Sequence, residues 1–219
     1  LLVKESWPAW QNIGFRKFFE WGSLWKPDAY GAPSYGVWPA LVSTLLTTVI
    51  ALAVSIPLGV CTAIYLSFVA KRELREFLKP LFELLASIPS VVIGFVGLVV
   101  TGPLIAKLTG QSHGLNALNG GLLLALMSLP TIISVSEDAM QSLSKDLWQG
   151  SLALGATRFR TIMDVMVPAA KGGILAAIML GMGRALGETM TVLMAAGNAS
   201  SLPTSVLAPV KTLTATIAM

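Results

Sequence analysis

The chain is poor in charge. Asp, Glu, Lys and Arg make up 12% of its 219 residues, where a soluble domain carries about 25%. Fifteen cationic and 11 anionic side chains cannot clothe a globule of this length, so a wholly water-facing surface is excluded. Disulfide and metal chemistry are just as scarce. A single cysteine, Cys61, and a single histidine, His113, exclude a disulfide framework and a zinc site built within the chain. No G-x-x-x-x-G-K-[ST] run occurs, so the chain lacks a phosphate-cradling loop of its own. Gly181-Met182-Gly183 begins a G-x-G, but Leu186 takes the sixth position and an apolar helical run precedes it. The dinucleotide reading therefore fails. His113 stands beside Gly114 with no acid near it in sequence, and no Ser/His/Asp set assembles around it. The chain is not expected to be an enzyme, and any energy source must be a partner or an ion gradient.

What the sequence has in abundance is apolar surface: 54% hydrophobic residues, with 20 glycines besides. A helix crosses the roughly 30 Å hydrocarbon core of a bilayer in about 20 residues. Four stretches approach or exceed that length: Trp38 to Ala70, Pro80 to Leu104, Gly120 to Val135, and Ala169 to beyond Gly197. The expected fold is all-α, a polytopic transmembrane bundle of about four spans. Pro57, Pro89 and Pro130 should kink it, as membrane helices tolerate. Cys61, inside the first run, is expected to be a small buried hydrophobe.

Loop charge supplies orientation. Lys71, Arg72, Arg75 and Lys79 crowd the first connection, and Lys145, Arg158, Arg160 and Lys171 the third, whereas the second holds only Lys107. Connections one and three are thus expected to be cytoplasmic, and residues 1–37 external. The net charge of +4 then reflects loop topology rather than nucleic-acid binding. Five of the six tryptophans (Trp7, Trp10, Trp21, Trp25 and Trp38) fall in or beside the N-terminal segment, as interfacial anchors do; a sugar-binding platform is the sharper alternative. Residues 38–219 form the transmembrane domain, with a long cytoplasmic loop over about 143–168. Leu1-Leu2-Val3 and the helix start at Thr212–Met219 read as the cut ends of a longer chain.

That loop is too long for a turn, since helix connections usually take about 2–8 residues. Gly155 is placed to end one helix in the left-handed conformation, and Thr157 to cap the next. The second helix carries Phe159, Ile162, Met163 and Met166 on one side until Pro168. Leu152, Leu154, Ala156 and Phe159 gather near the tip of this hairpin, where apolar residues need a cover. Either the hairpin packs on its own membrane helices or a partner covers it. The segment resembles the EAA loop of ABC importer permeases: Gln149-Gly150-Ser151, then Gly155, then Val165-Met166-Val167-Pro168, with Gln149 in place of the family's glutamate. The resemblance implies that Gln149, Leu152, Gly155, Ala156, Thr157, Phe159 and Pro168 belong to a coupling hairpin seated in a cytoplasmic ATPase.

A second constellation lies in the fourth stretch, Gly181 to Met190. A charge near the bilayer centre costs about 2.5–3.5 kcal/mol on insertion scales, so it faces the protein interior or a water path. Arg184 and Glu188 are four apart and expected on one helix face, either as a self-neutralising pair or as part of a substrate pathway. Gly183 and Gly187 have the spacing of a helix-packing motif. The guanidinium offers a planar donor fork suited to phosphate. Gly183-Arg184-Ala185-Leu186-Gly187-Glu188-Thr189-Met190, followed by Gly197-Asn198, resembles the phosphate-specific ABC permeases of the PstC type. Supporting stretches are Ser55-Ile56-Pro57-Leu58-Gly59, Glu83-Leu84-Leu85-Ala86-Ser87-Ile88-Pro89-Ser90 and Leu129-Pro130-Thr131-Ile132-Ile133-Ser134.

The resemblance implies a type I ABC importer (MetI-like) fold with six spans, of which the first and last are missing here. It implies a multi-pass subunit of the bacterial plasma (inner) membrane that passes inorganic phosphate inward. The implied partners are a PstA-type sister permease, two copies of an ATPase that binds ATP and Mg, an external phosphate-binding protein and membrane lipid. No cofactor, metal or nucleic acid is expected on this chain. A permease for another oxyanion, sulfate or molybdate, is the alternative, and a secondary transporter a more distant one.

Overall fold

The computed structural model describes Phe19, Trp25–Lys26 and residues 34–219. The expectations for Trp7, Trp10 and Trp21, and most of the external segment, lie outside the described residues. Two short strands, β1 (Trp25–Lys26) and β2 (Ser34–Tyr35), pair antiparallel. Apart from an isolated bridge between Gly197 and Val210, the other regular structure among the described residues is helical. α1 (Trp38–Phe68), α3 (Ser90–Thr109) and α4 (Ala117–Gln141) are long and apolar enough to cross a membrane. A fourth crossing requires counting as one span the pair α6 (Arg158–Ala169) and α7 (Lys171–Gly187), which meet at a 66° bend. α2 (Arg72–Ser87), α5 (Lys145–Ala153), α8 (Met190–Ala195) and α9 (Leu213–Ala218) complete the set.

Two of the expected spans are redrawn. The second was expected from Pro80 to Leu104, but the chain breaks at Ile88, which is extended at φ −62° and ψ 128°. Pro89 causes this, because its ring disfavours the α region for the residue before it. The basic first connection consequently forms amphipathic α2, with no buried residue, and the apolar span starts at Ser90. The fourth stretch was expected to run unbroken past Gly197; α7 instead stops at Gly187, and α8 begins only at Met190. Cys61 is also corrected: it is exposed. α1 buries only one stripe of its surface within the chain, and Cys61 lies off that stripe.

The chain divides into two compact units, each discontinuous in sequence. The first takes the described residues up to Val49, Ser90–Leu123 and Glu188–Met219. Here α8 packs on α3, and buried Asn119 ties them: its Nδ2 donates to the carbonyls of Gly97 and Ala195, both at 3.1 Å. Thr101 Oγ1 donates to Asn119 Oδ1 at 2.5 Å. Gly97–Thr101 is a π-helical turn within α3, and Asn119 satisfies a carbonyl of that widened turn. The first amides of α4 lack helical acceptors. They find them in the loop before α9, Ala117 N on Ala208 O at 3.0 Å and Leu118 N on Val206 O at 2.9 Å.

The second unit takes Ile50–Pro89 and Leu124–Gly187. Its core holds Ala63, Met140, Ala170 and Ile174, with Val60, Ile64, Phe68, Leu143, Val167 and Ile178 packed around them. Ile132, fully buried, lies between two close approaches. A Cβ on Gly59 would come within 2.7 Å of Ile132 Cγ2, and one on Gly181 within 2.7 Å of Ile132 Cγ1.

Candidate functional site

Arg184 projects from the last turn of α7 and is half-buried. One terminal nitrogen, Nη1, donates to Thr131 Oγ1 at 3.3 Å, and the other, Nη2, to the carbonyl of Ala86 at 3.1 Å. Both acceptors are neutral, and no carboxylate of this unit pairs with the guanidinium. The Ala86 carbonyl is free because α2 ends one residue later, before the Pro89 break. A helix would otherwise have supplied it with the amide of Ser90. The result is a cation set among helices, fixed in direction but not neutralised.

Glu188 has a separate occupation in the other unit. It lies beyond the end of α7, so the expectation of a shared helix face with Arg184 is corrected: the helix does not reach it. Its Oε1 accepts from the amides of Thr189 at 3.2 Å and Thr191 at 3.3 Å. A carboxylate at those orphan donors suits the start of α8. Thr214 Oγ1 donates to the Glu188 carbonyl at 2.9 Å. Gly183 and Gly187 have open space where a Cβ would stand, so neither is a packing contact among the described residues. The packing glycines of α7 are Gly173, against Ala139, and Gly181, against Ile132.

The hairpin of α5 and α6 resolves into a packed base and a bare tip. At the base, Trp148 stacks on Phe68 with centroids 5.8 Å apart and planes within 6°, Ile162 and Met166 are buried, and Ser151 and Thr161 share a hydrogen bond at 3.0 Å. Ser144 caps α5, accepting from Asp146 N at 3.1 Å, and Thr157 caps α6, accepting from Arg160 N at 3.4 Å. Gly155 has φ +83° with nothing near its would-be Cβ, so backbone conformation alone asks for glycine there. Leu154 is 91% exposed and Phe159 72%; Gln149 and Thr157 are exposed, and Leu152 and Ala156 half-buried. The single apolar side expected for α6 is corrected. Ile162 and Met166 face inward while Phe159 and Met163 are exposed, because Thr161–Met166 winds as a π-helix, and its wider turn rotates the two pairs off the single stripe that 3.6 residues per turn would give. Pro168 does not end the helix, which continues to Ala169.

Beside the hairpin, α2 is pinned to α4 by ions the sequence did not reveal as a set. Glu137, 1% exposed, faces Arg75 Nε at 3.6 Å and Lys79 Nζ at 3.9 Å, and Gln141 donates to it as well. Arg75 also donates to the carbonyls of Leu66 at 2.8 Å and Ser67 at 2.7 Å, closing the end of α1, which has no basic residue in its last turn. Lys79 donates to Asp138 at 3.0 Å. That bond holds its ammonium above the ordinary lysine range, with Glu137 assisting and burial opposing.

With this geometry in hand, relatives decide the family. Residues 55–208 match the model of the binding-protein-dependent transport system inner membrane component. The chain belongs to that family. This permease is 43% identical over 195 residues to a probable ABC transporter permease protein, YqgH, of Bacillus subtilis, covering 89% of the chain and 63% of the relative. It is 34% identical over 240 residues to the phosphate transport system permease protein PstC of Mesorhizobium japonicum, covering 99% of the chain and 71% of that protein. PstC of Pasteurella multocida is 33% identical over 236 residues, with 99% and 72% covered. Among solved structures, a chain of the MetNI methionine ABC transporter superposes with a TM-score of 0.53 at 22% identity, over 69% of this permease and 68% of that chain. The MetI-like, all-α fold read from the sequence is therefore the fold of this permease. The chain spans between three-fifths and three-quarters of the curated relatives it matches.

Proposed function

We propose that this permease is the PstC-type subunit of an ATP-driven importer that passes inorganic phosphate inward across the bacterial plasma membrane. It works with a PstA-type sister permease, two copies of an ATPase that bind ATP and Mg, and an external phosphate-binding protein. The carrying observation is Arg184: a guanidinium among helices, held by one hydroxyl and one carbonyl and left with its charge. Leaving a cation uncompensated there is costly, and a passing oxyanion relieves that cost while matching the donor fork. Any tetrahedral oxyanion would fit the fork; similarity to the phosphate transport system permeases PstC favours phosphate.

In the assembled importer, Arg184→Gln is expected to abolish phosphate uptake while the complex still co-purifies. Uptake of labelled phosphate into cells or proteoliposomes at the wild-type rate would remove Arg184 from the pathway.

A further inference from the structure

Two of the stretches that resemble phosphate permeases, Glu83–Ser90 and Leu129–Ser134, enter the reading above only as the anchors of Arg184. In the structure both reach Arg184: the first through the Ala86 carbonyl, the second through the Thr131 hydroxyl. We propose that Thr131 is a positioning residue for anion passage. Its hydroxyl, with the Ala86 carbonyl, orients the Arg184 guanidinium without neutralising it. This inference rests on Arg184 as the anion's contact.

A guanidinium has five N–H donors in a fixed plane. The two bonds observed spend one donor on Nη1 and one on Nη2. They leave Nε–H and the second donor of each terminal nitrogen. A carboxylate in the place of Thr131 would fix the side chain equally well, but it would cancel the charge and occupy a bidentate edge. A hydroxyl holds direction at no cost in charge. Without it the side chain keeps a single anchor, the Ala86 carbonyl, and the plane is free to swing about it. The carbonyl belongs to the backbone and cannot be removed by substitution. Thr131 is thus the half of the cradle that can be varied, and it is half-buried, so small changes of shape there are tolerated.

The test reconstitutes the whole importer in proteoliposomes with its binding protein and measures phosphate delivered per ATP hydrolysed. Thr131→Val keeps the branched shape and removes the acceptor; Thr131→Ala removes it without added bulk; Thr131→Ser restores it. A hydrogen bond to a charged group is worth about tenfold or more. Phosphate delivered per ATP is therefore expected to fall about tenfold in the valine and alanine variants and to stay within about twofold of wild type in the serine variant. A purely structural role would lower assembly or ATP hydrolysis in step with uptake and leave the ratio unchanged. An unchanged ratio, or a serine variant as impaired as the valine one, overturns the proposal. Arg184→Gln is run alongside. If it abolishes uptake while Thr131→Val transports normally, only the positioning role fails; if it transports normally, the pathway reading itself fails.

Discussion

At the scale of single residues, this permease handles its few charges in two opposite ways. Glu137 is buried, and its carboxylate is answered by Arg75, Lys79 and Gln141. Arg184 is answered only by dipoles. The first arrangement holds structure, and its two halves are unequal. Removing Glu137 leaves cations whose side chains are 31% and 35% exposed, so water takes them up. Removing Arg75 strands a buried carboxylate with Lys79 at 3.9 Å and uncaps two carbonyls of α1. Breaking a buried pair from its exposed side costs about 3–5 kcal/mol, whereas trading a paired carboxylate for an amide costs nearer 1 kcal/mol. Arg75→Met is therefore expected to lower the thermal midpoint of the purified complex clearly more than Glu137→Gln. The reverse order in a thermal-shift series would refute the assignment. Arg184 was legible from sequence because charge in an apolar run is conspicuous. Thr131 was not singled out, since threonine is unremarkable in a membrane helix. Its place directly after Pro130 was the available signal.

At the scale of elements, the candidate site stands at helix ends, and those ends were the hardest to read. The caps at Ser144 and Thr157 and the left-handed glycine at Gly155 follow from local chemistry, which a sequence displays. The breaks at Ile88–Pro89 and Gly187–Thr189 do not. Proline in membrane helices sometimes kinks and sometimes terminates, and the choice is made by tertiary donors, such as the Arg184 guanidinium, that answer the freed carbonyls. The hairpin illustrates a further limit. Hydrophobic residues at its tip could have packed inward or awaited a cover, and only coordinates separate Ile162 and Met166 from Leu154 and Phe159. The exposed pair gives a clean test, because neither supports its own chain. Leu154→Asp and Phe159→Asp are expected to leave folding and sister-subunit assembly intact while losing ATPase co-purification or stimulated hydrolysis. Retention of both by the double variant would show that the ATPase seats elsewhere.

At the scale of the whole molecule, the composition had already decided the membrane, and the apolar runs had decided the fold class. What composition cannot convey is that residues far apart in sequence share one small core. Gly59, Ile132 and Gly181 come from three helices and meet within a few ångströms. A methyl group at position 181 would stand 2.7 Å from Ile132 Cγ1 and 2.9 Å from its Cδ1, so it collides with the body of the side chain as well as its tip. Overpacking of this kind costs about 1–3 kcal/mol. Gly181→Ala is expected to destabilise the complex by that amount and to cost measurably less in an Ile132→Ala background, where the space is vacated. Additive effects of the two substitutions in thermal unfolding would contradict this shared contact.

The interleaving of the two units also fixes an order of events during synthesis. Everything that the unit around Ile132 needs has been synthesised once Gly187 has been made. The other unit must wait longer. The amides that open α4 are answered by Val206 and Ala208, and Thr44 Oγ1 accepts from the Leu213 amide at 2.9 Å. The opening amides of α4 thus go without these acceptors until the stretch from Val206 to Ala208 has been added.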